Sequence, residues 1–238
     1  MDPNQPVRVG WKRAAWLELR RMPLEESRRL QLPSSVEKLR FDMMSHAYAL
    51  LEKHNLLYED EIGCKNEVRQ EMRQESMAPN TPQPTLIMLA YWSPENGVAY
   101  KNVVKEMVEW LDDKTREDPQ RMYVEITAVE NVMTIYYGIV SDRVLLDAWG
   151  STSVSIQNIL ESFWATRGSF TCLALQKYGI DPEVNANPPT VYISMDYDSD
   201  ETGWPDVATR IKELLNRQGW NHVHVHMEHN LGMTSEFD

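Results

Sequence analysis

A chain of 238 residues with 42% apolar and 25% charged side chains can bury one large core or two small ones, which argues against wholesale disorder. Its longest purely apolar run, residues 86–92, is too short to cross a bilayer, and the first 30 residues lack the apolar centre of a signal peptide. Cys64 and Cys172 are too few and too isolated for a disulfide framework or a structural zinc site, so a reducing intracellular setting, cytoplasmic or nuclear, is expected.

The net charge of −12 is unevenly spread: residues 1–40 carry +4 and residues 181–238 carry −8. An acidic surface of this kind repels phosphate, which disfavours nucleic acid as a partner over most of the molecule. The basic residues between 8 and 40 read most simply as a solvated helical arm. A partner of opposite charge, the chain's own acidic half among the candidates, is the alternative.

In chain order, residues 1–9 read as a tail, 11–22 as a short helix, and Pro23 as the start of a second helix ending before Pro33. Ser34 with Glu37 has the spacing of a capping box ahead of Val36, Leu39, Met43, Ala47, Leu50 and Leu51, an amphipathic stripe of about five turns. Glu67, Arg69, Glu71, Arg73 and Glu75 are read as decorating a polar helix. Three prolines within residues 79–84 suggest a linker, hence a boundary between a helical region (1–78) and an α/β domain (79–238).

Within that domain, residues 84–131 and 189–230 both read as strand, loop, helix and strand. At an offset of 106 they share Ile87/Ile193, Tyr91/Tyr197, Ser93/Ser199, Glu95/Glu201 and Gly97/Gly203, while the helical stripes match at 107. This suggests an internal repeat. The expected fold class is α+β or α/β, with two related strand–helix–strand units sharing one mixed sheet. Between the copies, within 132–184, residues 134–140 and 144–149 are expected to pair as a hairpin. An apolar helix through Ile156, Ile159, Leu160, Phe163 and Trp164 should follow, then a second helix over 170–179 that places Cys172 in the core.

The second copy carries the most unusual polar pattern. Val191, Ile193 and Met195 alternate with Tyr192, Ser194 and Asp196, and Val223, Val225 and Met227 alternate with His222, His224 and His226. Two strands joined by a helix should be parallel, with the histidines, Ser194 and Asp196 on the face the helix leaves open. If Asp196 and His226 both end their strands, then Asp196, Asp198, His224 and His226 form a candidate metal set at the edge where α/β folds place ligands, with Asp200, Glu228 and His229 just beyond. No cofactor is called for by any other pattern; a divalent metal is what this one could hold. The plain alternatives are the wet side of a strand, a titratable histidine surface with side-chain pKa near ~6.5, and a helix entry that favours acids. Elbow, P-loop, dinucleotide and His-Glu-x-x-His signatures are missing.

The residues TVYISMDYDSDETGWP and HMEHN resemble a segment of uncharacterised fungal proteins, some with a trypsin-like peptidase domain further along. The resemblance covers about 40 residues (190–230). It implies an accessory region of a larger peptidase-containing protein and brings no site residue, since Gly-Asp-Ser-Gly is not in this chain.

The leading expectation is a non-enzymatic intracellular interaction or regulatory module, with a protein partner or a homo-oligomer and no membrane. A metal-dependent hydrolase centred on Asp196, Asp198, His224 and His226 is its rival, and an acidic-ligand or nucleic-acid binder working through residues 8–40 is a third option.

Overall fold

The computed structural model describes residues 5–59, 65–76, 82–115 and 122–230. The fold is α+β, with helices and mixed sheets in two compact units, Met1–Val132 and Met133–Asp238. Among the described residues no helix is long and apolar enough to cross a membrane.

The first unit runs β1 (Arg8–Gly10), β2 (Arg13–Trp16), β3 (Leu24–Glu26), α1 (Ser34–Lys38), α2 (Arg40–Lys53), β4 (Glu67–Glu75), β5 (Gln83–Ala90), α3 (Gly97–Lys114) and β6 (Tyr123–Ala128). Its six-stranded sheet has the order β1-β2-β6-β5-β4-β3. Only β5 and β6 are parallel, and α3 is their crossover. The stripe expected on α2 is present: Met43, Ala47, Leu50 and Leu51 are buried, in one core with Tyr100, Val104, Met107 and Leu111 of α3 and with Leu86, Met88 and Ala90 of β5. The capping box is not formed. Pro33 holds the N-cap position without a side-chain hydrogen bond, and Glu37 instead reaches Arg40 at 3.2 Å.

The N-terminal region is therefore not the helical one expected. Residues 8–16 make a hairpin turning through Lys12, whose φ of 52° lies in the left-handed region, and all four residues of β2 are buried beside β6. Tertiary burial overrides local helix preference here. Glu67, Arg69, Glu71, Arg73 and Glu75 recur at every second residue, which is the strand period rather than the helical one. They form one side of β4, with Arg69 paired to Glu67 at 2.7 Å. The linker reading also changes. Met77–Thr81 fall outside the described residues, but β4 and β5 pair antiparallel on either side of them, so this segment joins neighbouring strands, and the units divide between Val132 and Met133.

Two of the N-terminal arginines are not solvated either. Arg13 is fully buried and lies 3.2 Å from Glu125 of β6, itself 3% exposed. Arg13 also donates to the carbonyl of Arg20. Arg20 in turn donates to the carbonyl of Arg73 at 3.2 Å and to Thr85 Oγ1 at 2.9 Å, with its guanidinium 4.2 Å above the Tyr123 ring. Burial pulls the Arg20 guanidinium below its ordinary pKa, with Glu125 and Tyr123 opposing. These contacts pin the loop between β2 and β3 to the sheet face opposite α3.

The second unit runs β7 (Tyr136–Gly138), α4 (Arg143–Ser162), β8 (Phe170–Gly179), β9 (Pro189–Met195), α5 (Trp204–Arg217) and β10 (His224–His229), with strand order β10-β9-β8-β7. Strands β9 and β10 are parallel; β8 is antiparallel to both β9 and β7. The hairpin expected at 144–149 is instead the first part of α4. Asp142 caps this helix by accepting from the Val144 and Leu145 amides at 2.9 and 3.3 Å, so the apolar stripe extends upstream to Leu145. The helix expected at 170–179 is β8, a strand built into the sheet by its neighbours on both sides, and Cys172 is exposed on it rather than in the core.

Each unit thus holds one strand–helix–strand element, in its own mixed sheet rather than in a shared one. The identities at an offset of 106 do not mark the correspondence. Leu86, Met88 and Ala90 share the core with α3, whereas in the second unit the odd-numbered row, Val191, Ile193 and Met195, faces α5. An even offset matches opposite sheet faces. The helices begin at Gly97 and Trp204, an offset of 107, and that offset places Met88 on Met195 in phase.

Replacing Glu125 with alanine removes a buried carboxylate from the buried Arg13 charge, and urea denaturation is expected to show a loss of about 3–5 kcal/mol. The double change Arg13→Met, Glu125→Leu should recover most of that loss, because it removes both charges together.

Candidate functional site on the second unit

The β9–α5–β10 element forms as its sequence implies. Pro205 stands in the first turn of α5, where a missing amide costs nothing, and Gly219, with φ of 82°, turns the chain after the helix. Val207, Ile211 and Leu215 of α5 are buried, as are Val191, Ile193 and Met195 of β9. His229 pairs in register with Met195 and its ring lies 4.6 Å from that of Trp204, the first residue of α5. The odd-numbered row therefore faces the helix, and Tyr192, Ser194, His226 and Glu228 occupy the opposite face.

The register decides the fate of the metal set. His224 lies beside Thr190 and His226 beside Tyr192, so Asp196 is six strand positions beyond the level of His224 and four beyond that of His226. At a strand rise of ~3.3 Å per residue, those gaps are about 20 and 13 Å. Asp196, Asp198 and His224 are exposed, whereas His226 is buried. Asp196, Asp198, His224 and His226 therefore do not converge on one point. Among the described residues no group of three or more His, Cys, Asp or Glu side chains could hold a metal ion. The loop acids have a local role instead: the Asp200 carboxylate accepts from the Thr202 amide at 2.9 Å and caps the 3-10 turn Glu201–Gly203 that leads into α5. The expectation failed because β10 ends at His229, three residues later than assumed.

The structure brings together a different set. Tyr178 of β8, Tyr192 of β9, and His226 and Glu228 of β10 meet on the face away from α5. Tyr178 donates its hydroxyl proton to Glu228 at 3.0 Å while its oxygen lies 2.9 Å from His226 Nε2; the histidine nitrogen also lies 3.2 Å from Glu228, and the Tyr192 hydroxyl donates to the other carboxylate oxygen. Because Tyr178 has a single proton and gives it to Glu228, Nε2 of His226 must carry the hydrogen it shares with that oxygen. The His226 ring is centred 4.4 Å from that of Tyr178.

Burial alone would push the Glu228 carboxyl up. Hydrogen bonds and charge from His226, with the two phenols, hold it below the usual carboxylate range. Burial, with the neighbouring carboxylate, pushes the Tyr192 phenol up. A carboxylate that already accepts from three donors is a clamp across three strands rather than a base poised for a substrate. The histidine alternation pointed to β10, but Tyr178 was hidden by the helical reading of 170–179.

The same unit presents an apolar edge that sequence reasoning did not single out. Strand β7 is three residues long and, among the described residues, pairs only with β8. Its helix-side face is occupied, since a Cβ on Gly138 would come within 2.5 Å of Val184. Its other face presents Tyr137, 70% exposed, followed by Ile139, 88% exposed; Val144 is 71% exposed where α4 begins. No charged residue and no proline lies between Asn131 and Asp142, so this edge is limited by the shortness of β7 rather than by charge or proline.

Compared with known proteins, the chain matches no family model, no curated protein and no solved structure.

Glu228 has its pKa depressed in the folded state, so it contributes stability above its unfolded pKa of roughly 4.3, and that contribution is lost as pH falls through the folded value. Glu228→Gln should therefore be less stable than the parent at pH 7, with the gap closing as acid protonates the parent's carboxyl. Denaturant melts at neutral and acidic pH test this, and a gap that stays constant with pH would assign the loss to shape rather than charge.

Proposed function

We propose that this protein is a non-enzymatic interaction module and that its contact surface is the β7 edge of the second unit. The observation that carries the reading is the exposure of Tyr137 and Ile139 on an unpaired, uncharged strand edge. A sheet edge offers free backbone donors and acceptors, and alternate apolar side chains add the specificity of strand addition. Two large apolar side chains on one exposed face, Tyr137 and Ile139, favour a contact site over a single scattered surface residue. The polar cluster around Glu228 supports the same reading, because its donors and acceptors are spent on one another. The acidic loop after β9 is engaged in helix entry. Asp196, Asp198, His224 and His226 are dispersed along the strands, so the described residues lend the hydrolase reading no metal set.

The test is quantitative affinity recovery from a native extract with the parent chain and Ile139→Lys as baits. The lysine sits on a side chain that is almost wholly exposed, so folding should be untouched, while recovery of a specific protein should fall about tenfold or more. Equal recovery by both baits would remove β7 as the contact surface.

A further inference from the structure

We infer that the first unit carries a binding cleft for a free aromatic amino acid, beside the carboxyl end of β5. The cleft, of about 390 Å³, is lined by Tyr48, Leu57, Tyr58, Glu59, Lys65 and Asn66. That volume lies within the range of small-molecule sites. Its position is also one where a parallel strand pair places ligands: Asn66 donates to the Leu89 carbonyl near the end of β5, whose parallel neighbour is β6. The site belongs to the first unit and does not depend on the reading of β7.

The local sequence builds it. Helix α2 stops at Lys53, and Asn55, with φ of 55°, takes the left-handed conformation that asparagine tolerates. The Leu56 amide then donates to the Leu51 carbonyl at 2.8 Å and the Leu56 side chain is buried, so the chain turns back with Leu57 on the surface, 50% exposed. Asn66, itself buried, ties the walls together. Its carboxamide accepts from the Tyr58 amide at 2.8 Å and donates to the Leu56 and Leu89 carbonyls at 3.1 and 3.0 Å. Its main-chain carbonyl accepts from the Tyr48 hydroxyl at 3.3 Å. The Asn66 carboxamide and the Tyr48 hydroxyl are used within the wall, which leaves the rings of Tyr48 and Tyr58 and the Leu57 side chain as an apolar lining. Tyr91, 65% exposed, continues it, with its ring 6.1 Å from that of Tyr58. Such a lining suits a flat apolar group.

Charge narrows the occupant. Glu59 and Lys65 face each other across an antiparallel bridge, so their side chains leave the backbone about 5 Å apart on the same side. Both are exposed, and among the described residues neither side chain is held by an ion pair or hydrogen bond, with the other or with a third group. A simple anion meets repulsion from Glu59, and a simple cation meets it from Lys65. A molecule with an ammonium and a carboxylate on one carbon answers both, its ammonium at Glu59 and its carboxylate at Lys65. An α-amino acid with a ring side chain combines those two charges with the flat apolar group that the lining takes.

Titration calorimetry on the full chain tests this with L-phenylalanine, L-tyrosine and L-tryptophan as probes. At least one is expected to saturate in the micromolar to millimolar range. The amide of that amino acid lacks the carboxylate and its N-acetyl form lacks the ammonium, and each is expected to bind about threefold to tenfold more weakly. Glu59→Gln and Lys65→Gln, both on exposed side chains, should weaken the amino acid by a similar factor with circular dichroism unchanged, and Lys65→Gln should bind acid and amide alike. Leu57→Asp, on a side chain half exposed, should cost about tenfold or more. No saturation by any of the three at about 10 mM, or binding indifferent to Leu57→Asp, overturns the cleft. Equal affinity for the amino acid, its amide and its N-acetyl form overturns the amino-acid assignment and gives the cleft to a side chain of a peptide instead.

Discussion

The register of the parallel pair β9–β10 governs the chemistry of the second unit. Val191, Ile193 and Met195 must lie under α5, and Met227 with His229 must lie beside them, because the helix buries a single face through Val207, Ile211 and Leu215. Once that row is set, the intervening residues have no freedom in where they point. His226 falls beside Tyr192 and Glu228 beside Ser194, and the loop acids are carried past the end of the sheet. The polar pattern that looked like a metal set is spread along about 20 Å of strand by the same packing that creates it.

A comparable constraint acts in the first unit, where Arg13 and Glu125 are buried together on the sheet face opposite α3. A buried ion pair adds little net stability against an apolar pair of equal volume, but it penalises any arrangement that separates its members. Here it ties β2 to β6, and through the Arg20 carbonyl and guanidinium it ties the following loop to β4 and β5. That desolvated network fixes the path of β2 and of the loop that follows it.

The two polar centres differ in how far they are closed. Donors and acceptors around Glu228 are spent on one another, whereas Arg20 keeps a buried Nε–H without a hydrogen-bond partner beside its bonds to Arg73 and Thr85. Ile139 and Tyr137 stand out because they lie on an edge, where backbone groups and side chains can engage a partner together. An interaction module needs no pocket for this, only a strand that its own sheet leaves unpaired.

By itself the sequence determined the elements whose periodicity is internally consistent: the buried stripe of α2, the βαβ element of 189–230 with Pro205 and Gly219 at its turns, and the segregation of apolar from polar residues on β9 and β10. Local patterns of that kind survive folding because burial acts on the same face that the pattern defines. What only tertiary structure decided were the strands stabilised by their neighbours. Strands β2 and β8 read as helices until β6 and β9 are placed beside them, and the charged row of β4 carries a period of two that a helical reading concealed. The site followed the same division. His226 and Glu228 were visible as alternation on one strand, but Tyr178 lies 48 residues away from His226 along the chain, and no local pattern reveals a partner supplied by another strand. The register that disperses Asp196, Asp198, His224 and His226 depends on how two apolar rows lock beneath α5, a property of the packed pair and of neither strand alone.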